Sequence, residues 1–374
     1  MKIAILREQA AGERRVSGTP ETVKKFKALG ADVAVEAGAG LTASIADADY
    51  AAAGAAVGDR AATVAGADII LGVQGHAPDS ITGAKPGAWI AAGLNPFGER
   101  ARVDAYAAAG FEALAMEFMP RITRAQSMDI LSSQSNLSGY KAVLDAAYEY
   151  GRAFPMMMTA AGTVSAAKCF VMGVGVAGLQ AIATARRLGA QVSATDVRAA
   201  TKEQIESLGA KAIFVEKVAG IEGEGAGGYA TEMSDEYKAA QAELVSSHIA
   251  KQDIVITTAL IPGKPAPRLV SDAQIASMKP GSVIFDLAVA QGGNVEGSMP
   301  DEVVEKHGVK IVGYSNTAGH LAADASALFA RNHYNFLSAF WDKEAGKPVL
   351  DEEIGDAVRL TQGGKIVHER LTAQ

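Results

Sequence analysis

Lys168-Cys-Phe-Val-Met-Gly173-Val-Gly175-Val-Ala-Gly178 has the pattern of a buried strand followed by a glycine turn and the start of a helix. In this GxGxxG spacing, the first glycine permits a tight turn and the second lets the backbone approach a pyrophosphate. The third allows the helix to pack closely on the strand. Eighteen residues further on, a second strand ends in Asp196, whose carboxylate can accept hydrogen bonds from ribose hydroxyls. Together these features predict a dinucleotide-binding unit.

Asp196 also favours NAD(H) over NADP(H) as the cofactor. A 2′-phosphate about 4 Å from this carboxylate would cost on the order of 4 kcal/mol at an effective dielectric constant of about 20. Arg198 could reduce that cost if its side chain turned towards Asp196. A solvent-exposed arginine at the start of a helix is the simpler interpretation of Arg198, and we therefore predict NAD(H).

The composition indicates a globular protein with two α/β domains. The 374 residues suffice for two domains of ordinary size, and 49% apolar residues suffice for their cores. The net charge of −7, without a basic run, argues against a nucleic-acid partner. Cys169 is the single cysteine, so no disulfide can form within the chain, which predicts a reducing compartment. The histidines and the cysteine lack metal-ligand spacing, so no metal site is expected.

Strand-like and helix-like patterns alternate along both halves of the chain, as is typical of doubly wound parallel sheets. Long helical patterns over 136–154 and 321–340 would join the halves and lead the chain back to the first of them. We predict a discontinuous first domain (1–130 and 322–374) and a Rossmann-like NAD(H)-binding domain (131–321). The predicted strands are 2–6, 32–36, 68–73, 88–92, 111–116, 168–172, 191–196, 211–215, 253–257, 282–287 and 310–313, and the other predicted helices are 20–29, 60–66 and 99–109.

A glycine-rich segment lies between Glu216 and Glu236 and contains one aromatic residue, Tyr229. It has no apolar periodicity. The residues alone support two interpretations equally: a disordered surface insertion, or a mobile lid whose tyrosine closes on a bound nucleotide.

Two idiosyncratic stretches resemble the NAD(H)-binding component of proton-translocating nicotinamide nucleotide transhydrogenase. They are Met119–Asn136, with the sequence MPRITRAQSMDILSSQSN, and Asp253–Pro267, with the sequence DIVITTALIPGKPAP. The glycine turn and the segment after it resemble the same family. The likeness is dense over about 115–315 and looser elsewhere.

The resemblance implies direct hydride transfer between NAD(H) on this chain and NADP(H) on a partner, coupled to proton translocation. The implied partners are an NADP(H)-binding beta subunit and a small membrane subunit. The resemblance also implies that the chain forms a homodimer, and that it is a cytoplasmic protein held by its partners at the inner face of a bacterial plasma membrane. Transfer between two nicotinamides requires positioning rather than an acid or a base.

The resemblance also assigns residues to the site. A polar loop would surround the nicotinamide and its ribose, with Gln126, Asp129 and Arg121 as the catalytic group. A helix N-terminus capped by Asp129 or Ser132 is the alternative for this loop. Tyr229 matches the tyrosine of the family's mobile loop, which favours the lid. The implied cofactor-binding residues are Ser132, Gly173, Gly175, Val176, Gly178, Asp196, Val197, Arg198, Tyr229, Thr258, Ala259, Leu260 and Pro262.

Alanine dehydrogenases share this fold and provide the main alternative, a free-standing amino-acid dehydrogenase. That chemistry calls for a lysine and a histidine, and the matching positions here hold Gly72 and Ala92. Arg15 and Asp286 remain, and His76 or His320 could be recruited, although an exposed loop residue and a helix-capping cluster are the simpler interpretations of these histidines. A non-catalytic NAD(H)-sensing module is a third possibility.

Overall fold

The computed structural model describes residues 1–215, 235–261 and 263–372. The chain forms two compact units, one comprising Met1–Gln134 and Ala318–Gln374 and the other Ser135–Thr317. Both are built on a largely parallel sheet covered by helices, so the predicted α/β fold class is confirmed. Tyr229 and Pro262 lie outside the described residues.

The first unit contains a six-stranded parallel sheet. Its strands are β1 (Lys2–Ile5), β2 (Asp32–Glu36), β3 (Ala56–Gly58), β4 (Ile69–Gln74), β5 (Trp89–Gly93) and β6 (Glu112–Ala115). They lie in the order β3-β2-β1-β4-β5-β6, so the chain winds outwards from β1 in both directions. The helices among these strands are α1 (Pro20–Ala28), α2 (Asp47–Ala52), α3 (Arg60–Val64) and α4 (Arg100–Ala108).

The C-terminal part of the chain belongs to the first unit. Its long helix is α10 (Ala322–Ala339), close to the predicted 321–340. Short elements follow: β16 (Trp341–Asp342), β17 (Lys347–Pro348), α11 (Glu352–Val358), β18 (Thr361–Gln362), β19 (Lys365–Ile366) and α12 (Glu369–Thr372).

The second unit contains a seven-stranded sheet. Its strands are β9 (Lys168–Met172), β10 (Gln191–Thr195), β11 (Lys211–Ala212), β12 (Ile254–Thr257), β13 (Val283–Asp286), β14 (Val303–Lys306) and β15 (Val309–Val312). The order is β11-β10-β9-β12-β13-β15-β14, and only the edge strand β14 runs antiparallel to its neighbour. The helices among these strands are α6 (Val176–Arg187), α7 (Thr201–Ser207), α8 (Asp235–Ile249) and α9 (Asp272–Ser277).

Helix α5 (Ile130–Tyr150) differs from the prediction of 136–154. It begins six residues earlier, because Asp129 accepts hydrogen bonds from the backbone N–H groups of Leu131 (2.8 Å) and Ser132 (3.1 Å) and so caps the helix. It ends at Tyr150, and a hairpin of β7 (Met157–Thr159) and β8 (Gly162–Val164) follows. The prediction also lacked β3 and β14, which are short edge strands with weak apolar alternation.

Buried side chains of successive residues pack on opposite faces of each sheet. In β1, Ile3 and Ile5 belong to one apolar cluster, whereas Ala4 belongs to another. In β9, Cys169 and Val171 alternate in the same way with Phe170 and Met172. Because both faces are covered, the central strands are apolar throughout, as in parallel sheets. Among the described residues, no helix has the length and apolar character that crossing a membrane requires.

Candidate nucleotide-binding site

The glycine turn lies at the carboxyl end of β9, as predicted. Gly173 has a positive φ of +99° and donates its N–H to the carbonyl of Thr195 at 3.0 Å. A Cβ at Gly178 would lie 1.9 Å from the carbonyl oxygen of Gly173, so only glycine lets α6 start so close to the strand. The turn therefore depends on two glycines for two different geometric reasons.

Gly175 is the N-cap residue of α6, and Val176 is the first residue of that helix. A Cβ on Gly175 would meet no heavy atom of the described residues within 4 Å. Among the described residues, no atom crowds the position that a side chain at Gly175 would take, and the first N–H groups of a helix attract anions. The space beside Gly175 therefore suits the close approach of a phosphate group.

Asp196 follows β10 and is almost fully buried. Its Oδ2 accepts the backbone N–H of Val174 at 2.7 Å, which ties it to the glycine turn. Burial alone would raise the pKa of Asp196, but hydrogen bonds from the Arg198 side chain, with backbone N–H groups, outweigh it and hold the pKa below the usual value. Asp196 is therefore an anion at neutral pH.

The interpretation of Arg198 as a solvent-exposed residue is wrong. Its Nε donates to Oδ1 of Asp196 at 2.9 Å and its Nη2 donates to Oδ2 at 2.9 Å. A buried carboxylate requires a partner, and a guanidinium two residues away can reach both of its oxygens. Val197, between the two, is half-buried. The Arg198 guanidinium therefore offsets much of the Asp196 charge that was expected to disfavour a 2′-phosphate.

Thr258, Ala259 and Leu260 leave the carboxyl end of β12, the neighbour of β9. The Thr258 hydroxyl donates to the carbonyl of Gly173 at 2.9 Å, so this loop lies against the glycine turn. Leu260 is partly exposed. From β9 the chain continues to β10 on one side of the sheet, and from β12 it continues to β13 on the other side. Doubly wound sheets bind nucleotides at the point where the strand order reverses in this way.

The polar loop of the first unit is anchored to α10. Asn332 donates from its side chain to the carbonyl of Ser127 at 2.8 Å and accepts from Ser133 at 2.7 Å. Gln126, next to this anchor, is exposed in a 3₁₀ turn over Thr123–Met128, and Arg121 is exposed before it. This exposure leaves the Gln126 amide accessible for a ligand.

Asp129 and Ser132 lie together at the start of α5. The Ser132 hydroxyl donates to Oδ2 of Asp129 at 2.5 Å, in addition to the backbone hydrogen bonds that cap the helix. The capping role that was the alternative interpretation of this loop is therefore present in the structure. A ligand role for either residue would have to coexist with it.

A cavity of about 290 Å³ lies at the carboxyl ends of β1 and β2 in the first unit. Arg15 lines it, but its guanidinium is already held by Glu13, with Nη2 and Oε2 2.7 Å apart, and by Gln134 at 2.9 Å. His320 is exposed, in the short turn before α10. Asp286 is fully buried and accepts hydrogen bonds, including those from the Ala288 N–H and the Thr257 hydroxyl. A second substrate is thus offered neither an unpaired Arg15 nor an accessible Asp286.

His76 is buried rather than an exposed loop residue, because the chain after β4 folds it against Glu8. Its Nε2 lies 3.7 Å from Oε1 of Glu8. Burial raises the pKa of Glu8 to about 8 and lowers the pKa of His76 to about 4. Both groups are therefore mostly uncharged at neutral pH, a state that a buried pair favours.

Glu8 gives the folded protein a measurable pH dependence. Its pKa in the folded state, about 8, lies above the ordinary glutamate value of 4.5, so unfolding releases a proton between these values. The stabilisation is complete below pH 4.5 and is lost as the pH rises through 8. As the pH rises from 4.5 to 8, the unfolding free energy of the wild type should fall relative to that of Glu8→Gln, by on the order of 1 kcal/mol per pH unit. Urea unfolding of both proteins between pH 6.5 and 8 measures this difference. His76 is mostly uncharged in the folded and the unfolded chain in this range, so it does not contribute. Parallel pH profiles of the unfolding free energy would contradict the role of Glu8.

The sequence matches two family descriptions that together span most of the chain. "Alanine dehydrogenase/PNT, N-terminal domain" covers residues 4–138, and "Alanine dehydrogenase/PNT, C-terminal domain" covers residues 142–369. The boundary between the two matches falls within α5.

Comparisons with individual proteins identify relatives of the same family. The chain is 54% identical to the first part of NAD(P) transhydrogenase subunit alpha from Rhodospirillum rubrum, over 100% of both chains. It is similar to the crystal structure of a transhydrogenase from Sinorhizobium meliloti, with 55% identity, a TM-score of 0.89, and coverage of 98% of this chain and 100% of that one. Alanine dehydrogenase from Mycobacterium tuberculosis is 31% identical, over 80% of this chain and 76% of that protein.

Proposed function

Because this chain belongs to the alanine dehydrogenase/transhydrogenase family, we propose that it is the NAD(H)-binding subunit of a nicotinamide nucleotide transhydrogenase. In this proposal, hydride passes directly between NAD(H) on this chain and NADP(H) on a partner. The observation that carries it is the glycine turn of the second unit. The open space at Gly175 among the described residues and the buried Asp196 carboxylate, tied to the same turn, support a dinucleotide site there.

The nicotinamide ring supplies the hydride chemistry when NAD(H) is bound, and the protein supplies binding and orientation. On this chain the turn at Gly175 would receive the pyrophosphate and Asp196 the adenine ribose. Gln126 and Arg121 are proposed to orient the nicotinamide end. Transfer between two nicotinamides requires no proton donor, so the protein has only to place the two rings correctly.

The geometry at Gly72 argues against amino-acid dehydrogenase chemistry. A Cβ at this position would lie 2.5 Å from the carbonyl oxygen of Gln74, so the backbone leaves no room for the lysine that this chemistry requires. Ala92, where a histidine is expected in such an enzyme, is fully buried. With Arg15 engaged by Glu13, the substrate groups of an amino-acid dehydrogenase are not assembled here.

The assembly follows from the same proposal. The relatives are named as an alpha subunit, or as part of one, which supports association with other subunits. We infer an NADP(H)-binding beta subunit and a small membrane subunit as partners, a homodimer of this chain, coupling to proton translocation, and a location at the inner face of the membrane. Closure of a lid over the nucleotide by Tyr229 stays a prediction.

Arg198 is expected to weaken the preference for NADH. Its guanidinium lies on Asp196 and would attract a 2′-phosphate, so Arg198→Ala should lower the affinity for NADPH more than the affinity for NADH. We expect the ratio of the NADPH dissociation constant to the NADH dissociation constant to rise about tenfold, which corresponds to about 1.4 kcal/mol. Fluorescence titration with each nucleotide measures the ratio. An unchanged ratio would show that Arg198 has no part in selectivity, and a falling ratio would show that Arg198 favours NADH rather than NADPH.

The chain by itself provides a test of the alternatives. Purified protein should bind NADH but should not oxidise it in the presence of pyruvate and ammonium. Steady turnover under these conditions would establish an amino-acid dehydrogenase and overturn the proposal. Absence of NADH binding would exclude the proposal and the NAD(H)-sensing module together.

A further inference from the structure

Asn294 is a buried amide in the turn that follows β13, in the second unit. Its side chain has no exposed surface. The sequence around it gives no functional signal, because an asparagine after two glycines is typical of any turn. Its side-chain hydrogen bonds connect this turn to the loop that follows β12.

The Asn294 side chain holds the loop that leaves β12. Its Oδ1 accepts the N–H of Ala259 at 3.0 Å. Its Nδ2 donates to the carbonyl of Ala259 at 2.8 Å and to the carbonyl of Pro267 at 2.8 Å. The amide thus uses both donor hydrogens and its acceptor, and it joins the two ends of this loop.

Asn294 is itself held in place by Asp286 at the end of β13. The Asp286 carboxylate accepts the N–H groups of Asn294 and of Val295, each at 3.2 Å. Gly293, just before, has a φ of +77°, and a Cβ there would lie 2.7 Å from Oδ2 of Asp286. The turn is therefore fixed before any ligand arrives.

The held loop is the one that contacts the glycine turn. Thr258 precedes Ala259, and its hydroxyl donates to the carbonyl of Gly173. A Cβ at Gly173 would lie 2.6 Å from Oγ1 of Thr258 and 3.1 Å from the nitrogen of Ala259. A continuous series of hydrogen bonds thus runs from Asp286 through Asn294 and the loop to the turn proposed to bind pyrophosphate.

We propose that Asn294 is a positioning residue for the nicotinamide half of the bound dinucleotide. The inference rests on the proposed NAD(H) site. In a doubly wound sheet the two halves of a dinucleotide lie on opposite sides of the switch point, and Asp196 after β10 marks the adenosine side. Asn294 acts on the loop after β12, which is on the other side. It therefore contributes to NADH binding without contributing to the binding of the adenosine half alone.

The test compares NADH with AMP as probes. Asn294→Ala should raise the dissociation constant for NADH about tenfold, the loss expected when hydrogen bonds that fix a binding loop are removed. AMP lacks the nicotinamide half but has one phosphate that would lie at the glycine turn, so its dissociation constant should rise by no more than about threefold. Asn294→Asp keeps the volume and the acceptor but removes both donors, and it gives the same comparison should the alanine variant not fold.

Gln274 provides a matched control in the same unit. It is also a buried amide, and it donates to the Ser246 hydroxyl at 2.9 Å and accepts the N–H of Ser271 at 2.8 Å. Gln274→Ala should lower the melting temperature without changing either dissociation constant.

The possible failures are distinct. Unchanged NADH affinity in a folded Asn294 variant, equal losses for NADH and AMP, or an equal loss in Gln274→Ala would each overturn the positioning role. A wild-type chain that binds no NADH would overturn the proposed function instead.

Discussion

Replacing Gly175 by alanine is expected to weaken NADH binding at least about tenfold while the fold stays intact. The backbone of Gly175 has φ −81° and ψ −162°, which alanine adopts without strain, and the added Cβ would meet no described atom within 4 Å. The methyl group would instead occupy the space through which a pyrophosphate approaches the helix N-terminus. Isothermal titration with NADH and thermal unfolding without ligand measure the two effects separately.

Gly178→Ala provides the contrast, because it should lose stability as well as NADH binding. Its Cβ would lie 1.9 Å from the carbonyl oxygen of Gly173, and neither the strand nor the helix can move to relieve this contact cheaply. We expect a loss of about 3 kcal/mol of unfolding free energy, together with a loss of NADH binding. Wild-type NADH affinity in Gly175→Ala would mean that the open space at the turn is not the pyrophosphate site.

Gln126→Ala is expected to slow hydride transfer about 100-fold, because transfer depends on the placement of the nicotinamide to within about 1 Å. Gln126 is exposed in its 3₁₀ turn, so its removal leaves the packing of the first unit unchanged. NADH affinity should fall no more than about threefold, since the turn at Gly175 and Asp196 would still hold the rest of the cofactor. Single-turnover transfer to an NAD analogue, with NADH titration beside it, separates the two quantities.

Thr123→Ala tests the specificity of that result. Thr123 is exposed in the same turn, so a general disturbance of the loop should affect both variants alike. Equal losses in transfer and in NADH affinity for Gln126→Ala would make Gln126 a binding residue only. A slow Thr123→Ala protein would attribute the effect to the loop as a whole.

The fold was predictable wherever local sequence determines the backbone. The spacing of Gly173, Gly175 and Gly178 depends on a turn of fixed geometry, and the apolar strands beside it are buried on both faces, so pattern and structure agree. The short edge strands β3 and β14 contain no fully buried residue and carry little apolar pattern. Their pairing depends on the rest of the sheet, which a local pattern does not contain.

The site was less predictable, because contacts between distant residues create it. Asn294 acts on Ala259, 35 residues away in the sequence, and only the packed sheet brings them together. The inward turn of Arg198 follows from the burial of Asp196, which the sequence pattern did not quantify. Asp286 was recognised at its strand end, but its buried hydrogen bonds reveal that it holds a turn.

Reconstituted hydride transfer tests whether this chain is the NAD(H)-binding subunit of a transhydrogenase. The purified chain is mixed with a soluble NADP(H)-binding transhydrogenase domain, NADPH and an NAD analogue whose reduced form absorbs at a shifted wavelength. We expect reduction of the analogue only when both proteins are present, and we expect Gly175→Ala to abolish it. Intact NADH binding without any transfer would contradict the transhydrogenase function, and the assay with pyruvate and ammonium would then decide between an amino-acid dehydrogenase and an NAD(H)-sensing module.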